Sequence, residues 1–557
     1  MSRKSPDPSP SRRTAFRRSR ALGLLISFVI IPALLVLALV LPPISLPERI
    51  FDADYRAISR SGTDLPSQDG ARLSVPPEGM AKVAGVTKLK LDNIARTAFT
   101  EGKAGDEMAK ALAAFPPNLD LKSPVYQFSL KGNAPSQAVF SAPILNNTDP
   151  LTTLDFYSWD GTRWEYLPGR FFDDDTGEAS LTALPKAIAI AQTKPVPPVI
   201  SAEMAAAVDL PKLAQDTLAE LNPLGVTVKD DGSLTGQPLR VSSAQTTIVI
   251  PTISNLDTTS TSAGTPAVRA DIVGKVLATD SARQAHVRAI ADFAVQNLLP
   301  GVDIYYAGLK TDLRPYFTQF VRELAAELHA RGKLLTVSVP PPVPISAGDW
   351  DTGAYDWQAI GQLADSLKIP AVIAPNAYQP NGLMDSLLRW TVARVNRYKV
   401  QVLLDTQPQD RVNNQSAPRT YEDTLRALVG KIKVEGLSRS YATPQQDVKL
   451  LVSVADGFNG FQRDDVTKAY SYTYKDETGR LHTVSLETPE SVAFKMALVS
   501  RYNLRGVAFR GLLSAGADAS LWSAIAQYRQ AAAAKAGVSY EVVWTVTDSK
   551  GQPIQVE

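Results

Sequence analysis

Cysteine is absent from all 557 residues. The chain therefore holds no disulfide, no thiolate nucleophile and no cysteine-ligated metal, and its redox compartment leaves no mark on it. Histidine is nearly as scarce: His286, His329 and His482 are the only three. They stand far apart, with no H-E-x-x-H or similar spacing, so neither a metal nor another cofactor is expected. His482 is expected to be a packed or surface histidine. A calcium loop is missing too, since Asp173, Asp174 and Asp175 precede Gly177 without the D-x-D-x-D-G spacing or a distal Glu, and they read as a solvated turn. The main body also lacks basic charge. Arg3, Lys4, Arg12, Arg13, Arg17, Arg18 and Arg20, offset by Asp7, give the first 20 residues +6 of a total of +2, which leaves the other 537 at −4. Phosphate recognition needs a positive surface, and no basic-aromatic motif appears, so a nucleic-acid partner is not expected.

Long apolar runs are lacking as well, with one exception, which opens at Ala21 and closes at Leu41. As a helix it spans about 32 Å, matching a hydrocarbon core of ~30 Å. A secretory signal has a shorter apolar centre of about 7–15 residues followed by a small-x-small site, and neither is seen. An uncleaved transmembrane anchor is expected over 21–41. The basic residues 1–20 then form a cytoplasmic tail, and everything after the anchor lies outside that compartment. This describes a single-pass protein of a bacterial cell envelope. Pro42 and Pro43 end the helix, and 42–70 read as a stalk. The 40 prolines exceed the roughly 28 that a ~5% share predicts, pointing to many rigid connections.

From 71 to 195 the hydrophobic pattern has period two. Val125 to Leu130, Leu154 to Trp159 and Ala187 to Ala191 read as strands, and Asp160-Gly161 between Trp159 and Trp164 is a hairpin signal, so a β-sandwich domain is expected. Trp159, Trp164 and Tyr166 at strand spacing are expected in the core or in cross-strand pairs, ahead of a sugar-binding platform.

Lys194-Pro195-Val196-Pro197-Pro198 reads as a stiff linker and 202–221 as a helix, so 196–240 form a linker with helix. Thr247 to Pro251 reads as the first strand of the body at 241–535. Val287, Ile290, Phe293 and Leu298 mark one face of a helix over 282–298, and Phe317, Phe320, Val321, Leu324 and Leu328 mark another. Arg331-Gly332 stops the second helix ahead of a buried strand from Leu334. Ala371-Val372-Ile373 and Val400 to Leu404 read as further strands. Tyr540, Val542, Trp544 and Val546 alternate, predicting a terminal β-hairpin over 536–557. No internal repeat of 20–50 residues is present.

Gly301, Val302, Asp303, Ile304 and Gly308-Leu309 stand in the order of the D-G-x-D-x-D-x-E strand of glycoside hydrolase family 18, which this segment resembles. Ala354-Tyr355-Asp356-Trp357 with Ile360-Gly361 resemble the family's middle strands, and Tyr472-Thr473-Tyr474, Gly479, His482, Ser491 and Leu504 to Phe509 resemble the closing pattern of the branch that includes spore and peptidoglycan hydrolases. The resemblance covers roughly 245–530. It implies an α/β fold, a TIM (β/α)8 barrel over 241–535, with the anchor and sandwich ahead of it and the pocket at the carboxyl ends of the strands.

The departures fall on the chemistry. Pro300 takes the place of the first Asp, Asp303 keeps the second, Tyr305 stands at the third, and Ala307 stands at the catalytic Glu. In the family that Glu protonates the glycosidic oxygen while the neighbouring Asp orients the substrate's N-acetyl group as nucleophile. Ala307 has no proton to donate. Tyr305, with an ordinary pKa of about 10, is neutral at pH 7. The family's Met-x-Tyr-Asp step is replaced around Ala374-Pro375-Asn376-Ala377, with Tyr378 close by, and its last-strand Trp falls at Arg510.

No catalytic residue is therefore assigned. Asp303, Tyr305, Asn376, Tyr378 and Arg510 are the candidate glycan-binding residues. Asp303 has an equal alternative as a buried acid satisfied within the barrel, with Arg510 as a possible partner. Tyr305 and Tyr306 point to opposite sides of their strand, so at most one faces the lumen. The expected function is a membrane-anchored, extracytoplasmic barrel that binds a cell-wall or surface amino-sugar glycan without cleaving it. Two alternatives stay open: an envelope scaffold that binds another protein, and an active glycosidase using displaced acids such as Asp351, Asp356 or Asp405.

Overall fold

The computed structural model describes residue 33 and residues 54–536, apart from 146–147, 239–246, 263–264, 347, 380, 414, 436–447 and 515–516. The basic tail, the apolar run at 21–41, most of the stalk and the terminal hairpin expected beyond 536 lie outside the described residues. Among the described residues no helix is long and apolar enough to cross a membrane.

The described residues divide into two compact units, the smaller holding those up to 94 with 126–142 and 180–187 and the larger the rest. In the smaller unit Arg56–Ile58 pairs antiparallel with Thr87–Ile94, and Arg72–Val75 lies between Thr63–Pro66 and Ala138–Pro143. Strict alternation buries Leu73, Val75, Ala138 and Phe140 on one side, as a half-buried sheet requires. Tyr126 packs its ring 5.0 Å from Phe140 and donates its hydroxyl to Asp69 at 2.7 Å.

The larger unit contains the expected hairpin, in which Leu154–Trp159 pairs with Trp164–Leu167 and Trp159 lies opposite Trp164. Asp160 fixes its turn by accepting from the backbone of Thr162 and Arg163 at 2.6 and 2.9 Å, the local side-chain bond that makes Asp a turn residue. Trp159 and Trp164 are both buried, and Trp164 donates its indole N–H to the Ala111 carbonyl at 2.8 Å. They are core residues. Asp173, Asp174 and Asp175 sit exposed at the turn joining Gly169–Phe172 to Thr176–Leu181.

Eight parallel staves then close a barrel in chain order. They are β1 (Val199–Met204), β2 (Glu220–Pro223 with Val226–Val228), β3 (Ile248–Val249 with Thr252–Ser254), β4 (Gly301–Tyr305), β5 (Leu334–Ser338), β6 (Ser366–Pro370), β7 (Val400–Asp405) and β8 (Gly506–Arg510). The ring closes where β8 pairs with β1, Val199 opposite Gly506. A Cβ on Gly506 would lie 1.9 Å from the Val199 carbonyl oxygen, and one on Gly301 2.4 Å from that of Leu334. Glycine is needed at both strand starts for the backbones to meet. Helices Asp280–Gln296, Arg314–Ala330, Trp357–Leu363, Leu383–Val392, Pro489–Arg501 and Leu521–Ala536 belong to the same unit, and their apolar faces, such as Phe317, Phe320, Val321, Leu324 and Leu328, are buried in one core with the staves.

Three readings of the sequence are corrected. The stretch taken as linker and helix contains β1 and β2, with only Lys212–Thr217 helical between them. The barrel thus begins at 199 rather than 241, and Thr247 to Pro251 contributes to its third stave. Short buried apolar runs carry no period that separates strand from helix, and here hydrogen bonding to β8 decides the matter. The strand read at 371–373 lies earlier, at Ser366–Pro370, and 371–373 follow its carboxyl end. Tyr472, Tyr474 and His482 lie outside the ring. They belong to an insertion after β7, where a five-stranded antiparallel sheet spans Gln409–Val412 to Leu481–Leu486 and a separate ribbon pairs Val429–Glu435 with Lys449–Val454.

Candidate functional site

The barrel lumen is charged below its mouth. Lys368 on β6 donates to Glu220 Oε1 and to Asn222 Oδ1 of β2, both at 2.8 Å, and stands 3.8 Å from Asp303 of β4. All four side chains are buried. Asp303 accepts from Thr252 Oγ1 at 2.9 Å and from Ser338 Oγ at 3.0 Å. Burial pushes the Asp303 pKa up, against the pull of Lys368. For Glu220 burial pushes up as well, but Lys368 and Asn222 outweigh it and hold the carboxyl below its usual range. Burial works against the ammonium of Lys368, yet Asp303 and Glu220 hold its pKa above normal. Asp303 is therefore satisfied by protein groups on β3, β5 and β6, and its cation is Lys368 rather than Arg510.

Tyr305 and Tyr306 part as strand geometry requires. Tyr306 is fully buried, its hydroxyl 2.7 Å from His286 Nε2, while His286 Nδ1 lies 2.6 Å from the Gly232 carbonyl oxygen. Tyr305 lies on the side of the β8 guanidinium, with Arg510 5.7 Å from its ring centroid. Arg510 forms a two-pronged pair with Glu203 of β1, at 2.8 and 2.9 Å.

Above them is a cavity of about 90 Å³, lined among others by Tyr305, Tyr378, Asp405, Glu487, Lys495 and Arg510. Tyr378 is buried and its hydroxyl has no hydrogen-bond partner among the described residues. Lys495, paired with Glu487, holds its ammonium 4.9 Å from the Tyr378 ring centroid. Asp405 ends β7 and accepts from the Gln407 backbone at 2.9 Å. Burial pushes its pKa up to about 6, against that hydrogen bond and Arg510.

The candidate residues thus divide. Tyr305, Tyr378 and Arg510 line one cavity; Asp303 is buried in the lumen network; Asn376 is exposed and is not among the lining residues. Of the displaced acids, Asp351 accepts from the Gly353 backbone in an exposed turn and Asp356 caps helix Trp357–Leu363 through Ala359. Only Asp405 of the three reaches the cavity. Sequence reasoning missed Glu203, Glu487 and Lys495. Glu203 was hidden by reading β1 as helix, and Glu487 and Lys495 flank the capping box of Thr488 and Ser491 at a helix start, which signals structure rather than chemistry.

Ala307 itself is buried, and both its backbone groups are held by Asn255, its N–H donating to Oδ1 at 2.8 Å and its carbonyl accepting from Nδ2 at 2.9 Å. Asn255 also lines a second cleft of about 580 Å³ with Lys229, Asp230, Asp231, Asp257 and Arg269 among its residues. Among the described residues no group of three or more His, Asp or Glu side chains is placed to hold a metal ion.

Residues 273–509 match the model for glycosyl hydrolases family 18. The cortical fragment-lytic enzyme of Bacillus subtilis (strain 168) is 23% identical over 53% of this chain and 65% of its own length. A candidate sporulation-specific glycosylase of the same organism, YdhD, is 24% identical over 42% of this chain and 52% of its own. The chain thus spans less than two thirds of either relative. Among solved structures, a chitinase from Chromobacterium violaceum ATCC 12472 is 21% identical, covers 59% of this chain and 98% of that one, and has a TM-score of 0.45. The matched region begins within the helices that precede β4 and ends in β8, so it takes in the strand that carries Asp303 and, just past its end, Ala307. From the helices before β4 to β8, the barrel is thus related to glycosyl hydrolases family 18.

Proposed function

We propose that this glycoside hydrolase-like protein is anchored by residues 21–41, faces away from the cytoplasm, and binds an amino-sugar glycan of the cell wall or surface at the barrel mouth without hydrolysing it. The observation that carries the reading is the pairing of Ala307 with Tyr378. The position of the family's acid holds a buried methyl group whose backbone is locked by Asn255, so no proton donor stands there. Tyr378, which lines the cavity, meanwhile has a buried hydroxyl without a hydrogen-bond partner among the described residues. A buried polar group without a partner is rare in a protein at rest and suits a site that a ligand completes. At about 90 Å³ the cavity lies below the ~300–1,000 Å³ of sites that enclose a whole small molecule. It accommodates an acetamide-sized group, with the sugar ring lying across the rim.

Asp405 favours a second reading. A carboxyl with a pKa of about 6 in the cavity lining has the property of a general acid near neutral pH, and retained hydrolysis would run through it. One experiment separates the readings: retention on insoluble chitin and on peptidoglycan, with soluble products analysed from the same tube, for the wild type and Asp405→Asn. Retention without products, lost on Tyr378→Phe, supports binding. Products that vanish in Asp405→Asn establish an enzyme. No retention by either polymer, with a crosslinked envelope protein instead, establishes the scaffold.

A further inference from the structure

The cavity at the barrel mouth carries a charge that its own side chains do not balance. Two cations line it, and each already belongs to a carboxylate: Arg510 to Glu203 of β1, at 2.8 and 2.9 Å, and Lys495 to Glu487. Asp405 is a third carboxyl set against those two cations. It forms no salt bridge among the described residues. Its side chain accepts from the Gln407 backbone at 2.9 Å, and Arg510 acts on it only from a distance. With Asp405 ionised, the group is therefore one negative charge in excess. Val339, Pro370, Leu403 and Leu404 supply apolar wall beside it, where a carboxylate without a cation is costly. Burial accordingly pushes the Asp405 pKa up to about 6. The same lining holds the Tyr378 hydroxyl, buried and without a partner among the described residues.

We infer that the cavity takes the free ammonium of a de-N-acetylated amino sugar, with Asp405 as its counter-ion, and so selects glycans that bear unacetylated glucosamine-type residues. This rests on the glycan reading above and specifies its ligand. Size does not choose between the two forms of the amino group, since about 90 Å³ admits either. Charge does. An ammonium donates up to three hydrogen bonds and cancels the surplus charge, with the Tyr378 oxygen in the same lining as a second acceptor. An acetamide is neutral and leaves the ionised carboxyl unpaired. Binding is then tied to two protons. Asp405 must have lost its own, above about 6, and the sugar amine must keep its own, below ~8 if it behaves as an α-amino group. The other groups facing the site add no net charge in that window. Burial holds Tyr305 and Tyr378 above the ordinary tyrosine range, while Arg510 with Glu203 and Lys495 with Glu487 are closed pairs.

The test uses full-length protein in detergent micelles, titrated calorimetrically with a glucosamine tetramer and with the same tetramer fully N-acetylated, between pH 5 and pH 9. The expected result is at least tenfold tighter binding of the free-amine tetramer at pH 7, a preference that weakens toward both ends of the range and is lost in Asp405→Asn. Equal or tighter binding of the acetylated tetramer overturns the inference and leaves the glycan reading standing. So does an amine preference that persists in Asp405→Asn, which marks adhesion of a polycation to an acidic surface. A preference in the wild type that is as strong at pH 5 as at pH 7 overturns it as well, and that profile needs no variant, so misfolding of Asp405→Asn cannot decide the outcome. Binding of neither tetramer at any pH overturns the glycan reading and this inference with it.

Discussion

Replacing Lys368 with methionine tests whether the barrel lumen is held by ion pairing rather than kept open for a ligand. The substitution keeps an unbranched side chain one atom shorter and removes the charge that lies 2.8 Å from Glu220 and 3.8 Å from Asp303. Two buried carboxyls are then left without their cation, and breaking a buried pair in this way costs about 3–5 kcal/mol. Spread over an unfolding entropy of ~2.1 cal/mol/K per residue for the barrel that starts at β1, this is a fall of about 4–7 °C in Tm. The pH dependence has a definite sign. In the wild type Glu220 has a lowered folded pKa, so its stabilising effect is present above the ordinary carboxyl range and lost as pH falls through the folded value. In Lys368→Met the Glu220 pKa rises, and the stability it contributes is lost as pH increases instead. The deficit of the variant must therefore widen from pH 5 to pH 8, read by thermal scanning at one scan rate. A deficit under about 1 °C, or one that narrows with rising pH, refutes the reasoning, since an unpaired carboxyl couple cannot become easier to bury as it ionises.

Three further outcomes follow from named contacts. Any hydrolysis by the chain should fall as pH rises through about 6, where Asp405 loses its proton, and Asp405→Asn should reduce it by ~10²–10⁴-fold; a rate flat across that window removes Asp405 as the acid. Arg397 binds Asp155 with two bonds of 2.7 and 2.6 Å and reaches the carbonyls of Thr152, Leu154 and Tyr502. Arg397→Ala should cost about 3–5 kcal/mol, and Arg397→Lys should not restore it, because the fork and not the charge alone is used; chemical denaturation of the purified chain reads both. His286 is buried neutral, its pKa lowered by desolvation to about 4. It contributes about 3 kcal/mol that is present above pH 6.5 and lost as pH falls through the folded value, so the stability gap between wild type and His286→Leu should shrink between pH 7 and pH 4.

The barrel was legible because its signals were local. A helix face at Phe317, Phe320, Val321, Leu324 and Leu328, a Gly332 stop and a buried strand at Leu334–Ser338 follow one another within a few turns, and the parity of one strand was enough to send Tyr305 and Tyr306 to different sides. The start of the barrel was not legible, because β1 and β2 are short, fully buried and preceded by prolines, so neither period nor composition separates them from a linker with a helix. The mouth was read incompletely for what elements other than its fourth strand bring. Glu203 from β1, Asp405 from β7, and Glu487 with Lys495 ahead of β8 are far apart in sequence, and closure of the ring is what sets them around Tyr305 and Tyr378. The local charge balance follows from that convergence. Arg510 stands where the family's last-strand aromatic was expected, and its pairing with Glu203 uses most of its charge, leaving Asp405 to be governed by burial. Asp405 on β7 is thus coupled to Glu203 on β1 through Arg510: freeing that guanidinium with Glu203→Gln should turn it toward Asp405, lower the Asp405 pKa, and move any pH-dependent step at the mouth to more acidic values.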